Sequence, residues 1–412
     1  MHGLSAADLF RIADQARAKG RIADAQAIYV ALARDPNPDI RAEARFRDGM
    51  MQAGLKHYRE AAVLFRAILD EKPGATRVRL ELARVLAAMG DEAAARRQIR
   101  LAEAAGLPPD VAIVVNQFAN ALHSSKLFGG SVGFAVAPNS NINRATQATT
   151  LDTVIAPLTL SQDARQRSGV GFEESGQAYL RLPLTDDLDL VPRVSSFGDV
   201  YGTSEFDDIS GSALVGLEWR LGQDRLDPSV GYTWRLYGDS LYARTDTAAL
   251  DWIHAAGPRA QFDVQGSVSD ARYLTNALQD GGIYAGSASY ERALTPRLGF
   301  SVTLDVTRET AEDPGYATWA GGGSVVAWRD LGRTTVFVTA GLHRLEGDAQ
   351  LFIFPDRRRE WLYQAGAGAT FRQVQWHGFA PVVRFSLERN QSTVELYNYR
   401  RLGLTMGVTR AF

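Results

Sequence analysis

Between Gly129 and Thr146 (GGSVGFAVAPNSNINRAT) the hydrophobic period of the chain changes from about 3.6 to 2, and the new period persists to the last residue. No other feature constrains the fold as much. A period of 3.6 gives a helix one apolar stripe, whereas strict alternation gives a strand one apolar face. The expectation is an α + β chain of two domains, helical over 1–125 and β over 126–412. Within the switch, Val132, Phe134 and Val136 share one face, and Gly133, Ala135 and Ala137 fill the other. Pro138 has no N–H for a ladder, and Asn139, Ser140, Asn141 and Asn143 supply turn-forming amides, so the first strand is expected to end there.

The helical part repeats. Gly20-Arg21-Ile22-Ala23-Asp24-Ala25 leads to Tyr29 and then to Asp35-Pro36. His57-Tyr58-Arg59-Glu60-Ala61 leads to Phe65 and Lys72-Pro73, and Gly90-Asp91-Glu92 leads to Ala95, Ile99 and Pro108-Pro109. The aligned Ala25, Ala61 and Ala95 lie 36 and 34 residues apart, which resembles the period of about 34 kept by tetratricopeptide repeats. The small residue lets two helices approach, Tyr29, Phe65 and Ile99 fill the layer between repeats, and proline stops the second helix. Asp110 to Ser124 reads as a further helix, apolar at Val111, Val114, Val115, Phe118 and Leu122, which caps a short solenoid of roughly seven helices. Its concave face is expected to hold a peptide or protein, or to act only as a spacer or support. Arg77, Arg84, Arg96, Arg97 and Arg100 belong to such a groove or to a solvated helix face.

The alternation beyond the switch is clearest in Leu298–Thr307, where Leu298, Phe300, Val302, Leu304 and Val306 oppose Gly299, Ser301, Thr303, Asp305 and Thr307. The same pattern runs through Val215–Leu221, Val230–Leu236, Gln261–Ser269 and Val383–Glu388. Short turns (Thr185-Asp186-Asp187, Gly222-Gln223-Asp224, Ala256–Arg259, Leu294–Arg297, Asp330–Arg333, His377-Gly378) take turns with longer polar connections at 146–167, 237–242, 274–282, 311–315, 346–359 and 388–396. Short turns on one side and longer loops on the other are the habit of a transmembrane barrel. About fourteen strands of roughly 10–14 residues are expected, antiparallel and long enough to cross a membrane at a tilt. A soluble sandwich would alternate too, but with a polar outer face and shorter strands. Trp219, Tyr232, Trp252, Tyr273, Tyr290, Trp328, Trp361 and Tyr399 are expected in aromatic girdles or as core aromatics.

The chain end agrees with membrane insertion. Leu402, Leu404, Met406, Val408 and Arg410 share the face that ends in Phe412. A terminal aromatic behind alternating apolar residues resembles the C-terminal insertion signal of bacterial outer-membrane barrels; Arg410 departs from that pattern and is expected to snorkel. There is no run of 18 apolar residues, so a spanning helix is excluded. The opening MHGLSAADLF lacks a basic region followed by an apolar one, so no signal peptide is read there, and a processed or engineered chain is expected. With no cysteine there is neither a disulfide nor a thiolate metal site. Residues 1–125 carry 18 Lys and Arg against 15 Asp and Glu, and the remainder 27 against 32. Neither half has the basic excess of a nucleic-acid binder, so no nucleic-acid partner is expected.

Motifs of catalysis are missing. The six histidines (His2, His57, His123, His254, His343, His377) show no metal-ligand spacing, and no metalloprotease, P-loop or dinucleotide fingerprint occurs. Gly321-Gly322-Gly323-Ser324 sits in a strand pattern and lacks the spacing of a nucleophile elbow. A lipase would need a Ser–His pair with His254 or His343, for which the sequence offers no partner. The expectation is no enzyme, no cofactor and no metal. If the apolar faces meet lipid, Glu218, Arg220, Arg235, Asp263, Asp305, Arg384 and Glu388 point into the lumen, to steer a polar cargo or to pair with one another.

An N-terminal tetratricopeptide solenoid, about fourteen membrane strands and Pro138-Asn139-Ser140-Asn141-Ile142-Asn143 at the end of the first strand together resemble the surface lipoprotein assembly modifier family of Gram-negative outer membranes. That family carries a related Pro-Asp-Ser-Asn-Ile-Asn segment early in its barrel; here Asn139 replaces the Asp. The resemblance implies an outer-membrane barrel with its helical domain in the periplasm, and transport of a surface lipoprotein or a soluble haem-binding-type protein to the cell surface or medium. It further implies contact with periplasmic chaperones, the barrel-assembly machinery and outer-membrane lipid. With no nucleotide site, transport would draw on cargo folding or binding. The alternatives are a polysaccharide-export protein, usually with longer repeat arrays, and a passive porin.

Overall fold

The structure is a computed structural model and describes residues 5–89, 91–103, 127–257, 259–332, 334–371, 374 and 379–411. The expected helix over Asp110–Ser124, the Pro108-Pro109 stop, His2, His123, His377 and Phe412 lie outside them. Helical and β residues form two separate compact units.

Six helices are described in the first unit: α1 Ala6–Ala18, α2 Ile22–Leu32, α3 Pro38–Gly54, α4 Tyr58–Glu71, α5 Thr76–Ala88 and α6 Glu92–Glu103. Ser5 caps α1 by accepting from the Asp8 N–H, and Asn37 caps α3 ahead of Pro38. Each helix packs on the next in sequence. Ala25, Tyr29, Ala61, Phe65 and Ala95 are fully buried and Ile99 nearly so, on the inner faces of α2, α4 and α6. The approach of α3 to α4 is close: a Cβ on Gly49 would come 2.7 Å from the Phe65 ring. Between α1, α2 and α3, Asp14 accepts from the Tyr29 hydroxyl at 2.6 Å and pairs with Arg47 at 2.5 Å. Burial, and then the Asp14 bond, push the Tyr29 phenol well above its ordinary value.

The second unit is one closed antiparallel sheet. Its strands are β1 Phe128–Asn139, β2 Gly169–Leu180, β3 Leu188–Tyr201, β4 Asp208–Leu221, β5 Asp224–Tyr237, β6 Ser240–His254 and β7 Ala260–Tyr273. They continue as β8 Gly281–Thr295, β9 Leu298–Glu309, β10 Thr318–Leu331, β11 Thr334–Gln350, β12 Arg357–Phe371, β13 Ala380–Ser392 and β14 Tyr399–Ala411. Neighbours in sequence are neighbours in the sheet, and β1 closes the ring against β14 in a register that sets Val136 opposite Met406. Val230, Leu304 and Val338 sit in mid-strand and are 62%, 63% and 57% exposed. An outer wall of this kind suits hydrocarbon rather than water. The inner wall at mid-height is hydroxyl-rich, with cross-strand bonds between Ser195 and Ser212 at 2.6 Å and between Thr247 and Ser269 at 2.9 Å.

Two expectations about connections fail. Residues 237–242 and 346–359 read as long loops, yet β5 and β6 are joined through Gly238 and Asp239 alone, and β11 and β12 through 351–356. Apolar alternation stops at the level where lipid stops, while the backbone ladder continues above it. There the outward side chains are Arg344, Glu346, Asp348, Arg357 and Arg359, whose charge gives a strand the composition of a loop. The girdle assignment also needs correction. Trp219, Trp252 and Trp361 do lie exposed on the outside, but Tyr273, Trp328 and Tyr399 fall on the inward face of their strands. Tyr273 stacks edge-on against Tyr242, ring centroids 5.5 Å apart, where a register shift at Arg235/Leu236 turns Tyr242 inward.

Candidate functional site

The lumen has three levels. At the short-turn end, Asp189 on β3 and Glu218 on β4 are register partners and almost fully buried. Arg181, just after β2, reaches Glu218 at 3.1 Å and Asp189 at 3.4 Å. Arg220 pairs with Asp189 at 2.5 Å and Arg225 with Glu218 at 3.5 Å. Arg193 pairs with Asp227, which faces Asp251 across the β5–β6 ladder. Each carboxylate in this row was placed on the inward parity of its strand, so a counter-charge had to come from a neighbouring strand.

At mid-height the wall is small and polar. Asp305 bonds His343 at 3.0 Å across β10, and Arg384 lies 5.9 Å from the Phe337 ring centroid. β10 and β11 approach so closely that a Cβ on Gly322 would run into the Leu342 carbonyl oxygen, which requires glycine at that position of the triple. No serine hydroxyl bonds His343 or His254 among the described residues; the partner of His254 is Asp224, at 2.8 Å. Nor do the described residues include a group of three His, Asp or Glu fit to hold a metal.

At the loop end, Arg235 makes two bonds to Asp208 at 2.6 and 2.7 Å, and Glu388 takes Arg144 at 3.4 Å and Arg401 at 3.6 Å. Glu360 accepts from Arg358 at 2.5 Å and from the Asn390 amide at 2.9 Å. Above them Leu151, Leu351, Phe354 and Val394 form a buried apolar cluster with Leu160, Tyr316, Ile353, Leu396 and Tyr397 around it. These residues come from the loops after β1, β9, β11 and β13, whose strands occupy half the ring, so the cluster draws loops together over the mouth. Burial raises the Tyr397 phenol, whose ring carries the Arg358 guanidinium at 4.0 Å.

The Pro138–Asn143 segment anchors the longest of these loops. The Asn139 side chain accepts from the Asn141 N–H at 2.9 Å. Ser140 donates its N–H to the Leu402 carbonyl at 2.9 Å, and its hydroxyl accepts from the Leu402 N–H at 2.8 Å. Asn141, wholly buried, donates to the carbonyls of Ala145 at 2.9 Å and Arg400 at 3.1 Å. Ile142 donates its N–H to Arg167, and the Asn143 amide to the carbonyls of Asp163 and Arg165. The loop therefore returns onto its own start. An open polar pocket beside it is lined by Ser140, Gln147, Gln162, Arg165, Gln166 and Arg167.

The seven charges picked from alternation thus fall into separate groups. Glu218, Arg220 and Asp263 belong to the short-turn end, Asp305 and Arg384 to the middle, Arg235 and Glu388 to the loop end. Their partners are Arg181 and Arg225 for Glu218, Asp189 for Arg220, Asp208 for Arg235, His343 for Asp305, and Arg144 and Arg401 for Glu388; alternation alone does not pick these out, nor the Arg193–Asp227 pair beside them. On β14, Met406 is exposed on the outside and Leu402, Leu404 and Val408 share its face, half-buried. In the helical unit an open groove is lined by Phe10, Arg11, Asp14, Gln15 and Arg47; Arg84 pairs with Glu81 at 2.8 Å and Arg77 lies over Phe46.

Residues 129–412 match the family model described as surface lipoprotein assembly modifier, and residues 52–115 match a tetratricopeptide repeat model. No curated protein matches the chain. Among solved structures, a loop L8 deletion mutant of OmpT, an outer membrane protein of Vibrio cholerae, is similar at 9% identity and a TM-score of 0.43, over 70% of this chain and 100% of that one. An anion-selective porin from Comamonas acidovorans is similar at 10% identity and 0.40, over 69% and 98%. A bacterial polysaccharide outer membrane secretin is similar at 13% identity and 0.37, again over 69% and 98%. With its barrel matched from end to end by the family model, the chain belongs to the surface lipoprotein assembly modifier family, and its second unit is an outer-membrane β-barrel.

Proposed function

We propose that the barrel is a translocon that moves specific protein cargo, a surface lipoprotein or a soluble haem-binding-type protein, from the periplasm to the cell surface or medium. The helical unit, over residues 1–125, works in the periplasm and engages that cargo or the chaperones that deliver it. The barrel, over 126–412, is folded by the barrel-assembly machinery into outer-membrane lipid. The observation that carries this reading is a polar lumen, hydroxyl-rich at mid-height and lined by paired charges along its length, beneath an apolar cluster of loops. A wall of hydroxyls and paired charges offers an extended polypeptide hydrogen bonds along its length, and the loop cluster holds the mouth shut at rest. No cofactor enters the account, and cargo folding outside supplies the driving force. The test is reconstitution of the purified chain in liposomes with the neighbouring gene's product as cargo, expected to be a small secreted or lipobox-bearing protein. Cargo should become protease-accessible on the far side without nucleotide; an absolute ATP requirement contradicts the proposal. A steady, large conductance without cargo movement would indicate a porin, and polymer release would indicate a polysaccharide exporter.

A further inference from the structure

A lipidated cargo poses a problem that a polar lumen does not solve: its acyl chains must end in the outer leaflet, outside the barrel wall. We infer that the seam between β1 and β14 is the lateral exit for those acyl chains, and that Ser140 and Asn141 are the latch that holds it closed. The inference rests on the transport reading above.

The two ladders of β1 are unequal. Towards β2, register pairs run without a break from Phe128 opposite Leu180 to Asn139 opposite Gly169. Towards β14, they run from Ser131 opposite Ala411 to Val136 opposite Met406; among the described residues none joins Ala137 or Pro138 to β14, and pairing resumes at Asn139 with Gly403. Pro138 lacks the N–H that a ladder needs. On the outer wall, Phe134 stacks on Phe172 of β2, ring centroids 5.9 Å apart, and so turns away from β14. At the break, on the inside, the Thr405 hydroxyl donates across β1 to Glu173 of β2 at 3.2 Å; beyond it the seam is held at its loop end by the Asn139–Gly403 pair, the two Ser140–Leu402 bonds and the Asn141–Arg400 bond. Short turns lie on the periplasmic side and long loops outside, so the latch closes the end of the seam that borders the outer leaflet. The same segment begins the loop whose Leu151 joins the apolar cluster at the mouth. Displacing that loop therefore loads the latch, which couples arrival of cargo at the mouth to opening of the wall.

The chain has no cysteine, so engineered pairs have no competing thiol. Val136→Cys with Met406→Cys locks the seam, and Val136→Cys with Phe172→Cys locks the neighbouring ladder at the same height. In cells making a lipobox-bearing protein that depends on this chain for surface display, the oxidised seam lock should lower its surface appearance at least tenfold, with recovery on reduction. The β1–β2 lock should change nothing, and a form of the cargo with its acylated cysteine replaced should still be released through the locked barrel. Unimpaired display of the lipidated form, or equal loss of both forms, overturns the inference. A second measurement needs no transport. A benzophenone at inward-facing Thr405 in nanodisc-held protein should crosslink a tripalmitoylated cysteinyl peptide, several-fold more in Asn141→Ala and not when the seam is locked. Equal labelling of locked and unlocked protein, or none in either, overturns the exit. If wild-type cells move no cargo yet this labelling holds, the transport reading fails and the seam stands.

Discussion

The side-chain amide of Asn141 donates to the carbonyl of Arg400 at 3.1 Å, tying the start of the longest loop to the start of the last strand. Asn141 also bonds both the N–H and the carbonyl of Ala145, so its amide is used on every side and none of it meets water. Asn141→Ala removes its hydrogen bonds to the two carbonyls of Ala145 and Arg400 and to the Ala145 N–H, each worth about 0.5–1.5 kcal/mol. The folded barrel should lose its compact gel mobility at a lower temperature than wild type. Asn141→Asp, which keeps shape but cannot donate, should lose as much; an unchanged melting temperature for both would mean that the anchor contributes nothing.

The short-turn charge row should behave as a unit. Glu218→Ala removes the carboxylate that Arg181 and Arg225 share, and breaking a buried ion pair from one side costs about 3–5 kcal/mol. Urea unfolding in lipid should show that loss. The Arg181→Met, Glu218→Leu double variant should recover part of it, because Arg181 is no longer stranded and Asp189 keeps Arg220, while Arg225 still loses its Glu218 contact.

Gly322→Val should fail more severely than Gly266→Val. The first drives a side chain into the Leu342 carbonyl, whereas a Cβ at Gly266 meets nothing within 4 Å. The fraction of protein inserted as heat-modifiable barrel reads the difference directly.

In the helical unit, burial raises the Asp48 carboxyl, whose one hydrogen-bond partner among the described residues is the Gln52 amide, donating at 3.1 Å. A raised carboxylate pKa means that the folded state gains stability as pH falls and pays desolvation at neutral pH. Asp48→Asn should therefore raise the melting temperature of the helical signal at pH 7, with the gain vanishing in acid.

Glu71 has the opposite sign. Burial works against its charge, but hydrogen bonds from Arg45 and Arg41 hold it below the ordinary glutamate value. The stability it contributes is present above that ordinary value and is lost as pH falls through the lowered one. Amide exchange of α3 and α4 in the full chain should quicken in that window, and Glu71→Gln should flatten the response.

The barrel, its strand number and its membrane face were legible because a period of 2 sustained for most of the chain leaves few other folds. Strand ends were not. Above the lipid, the outward positions at Arg344, Glu346 and Asp348 carry charge, so the alternation that marks a strand disappears while the hydrogen-bonded ladder goes on. The inward charges Glu218 and Glu388 could be read from parity, yet their partners could not, since Arg181 and Arg144 lie in connections whose direction parity does not fix. The Asn-rich segment was visible as a turn and as a family motif; that it clasps the last strand depends on ring closure, which no local pattern encodes.

The central claim is transport of protein across the outer membrane. The most direct measurement is surface labelling of the neighbouring gene's product, with an assay of the medium, in cells with and without this gene. Loss of exposure or release, with cargo building up in the periplasm, is the predicted result. Unaided arrival of that product at the surface would contradict the account.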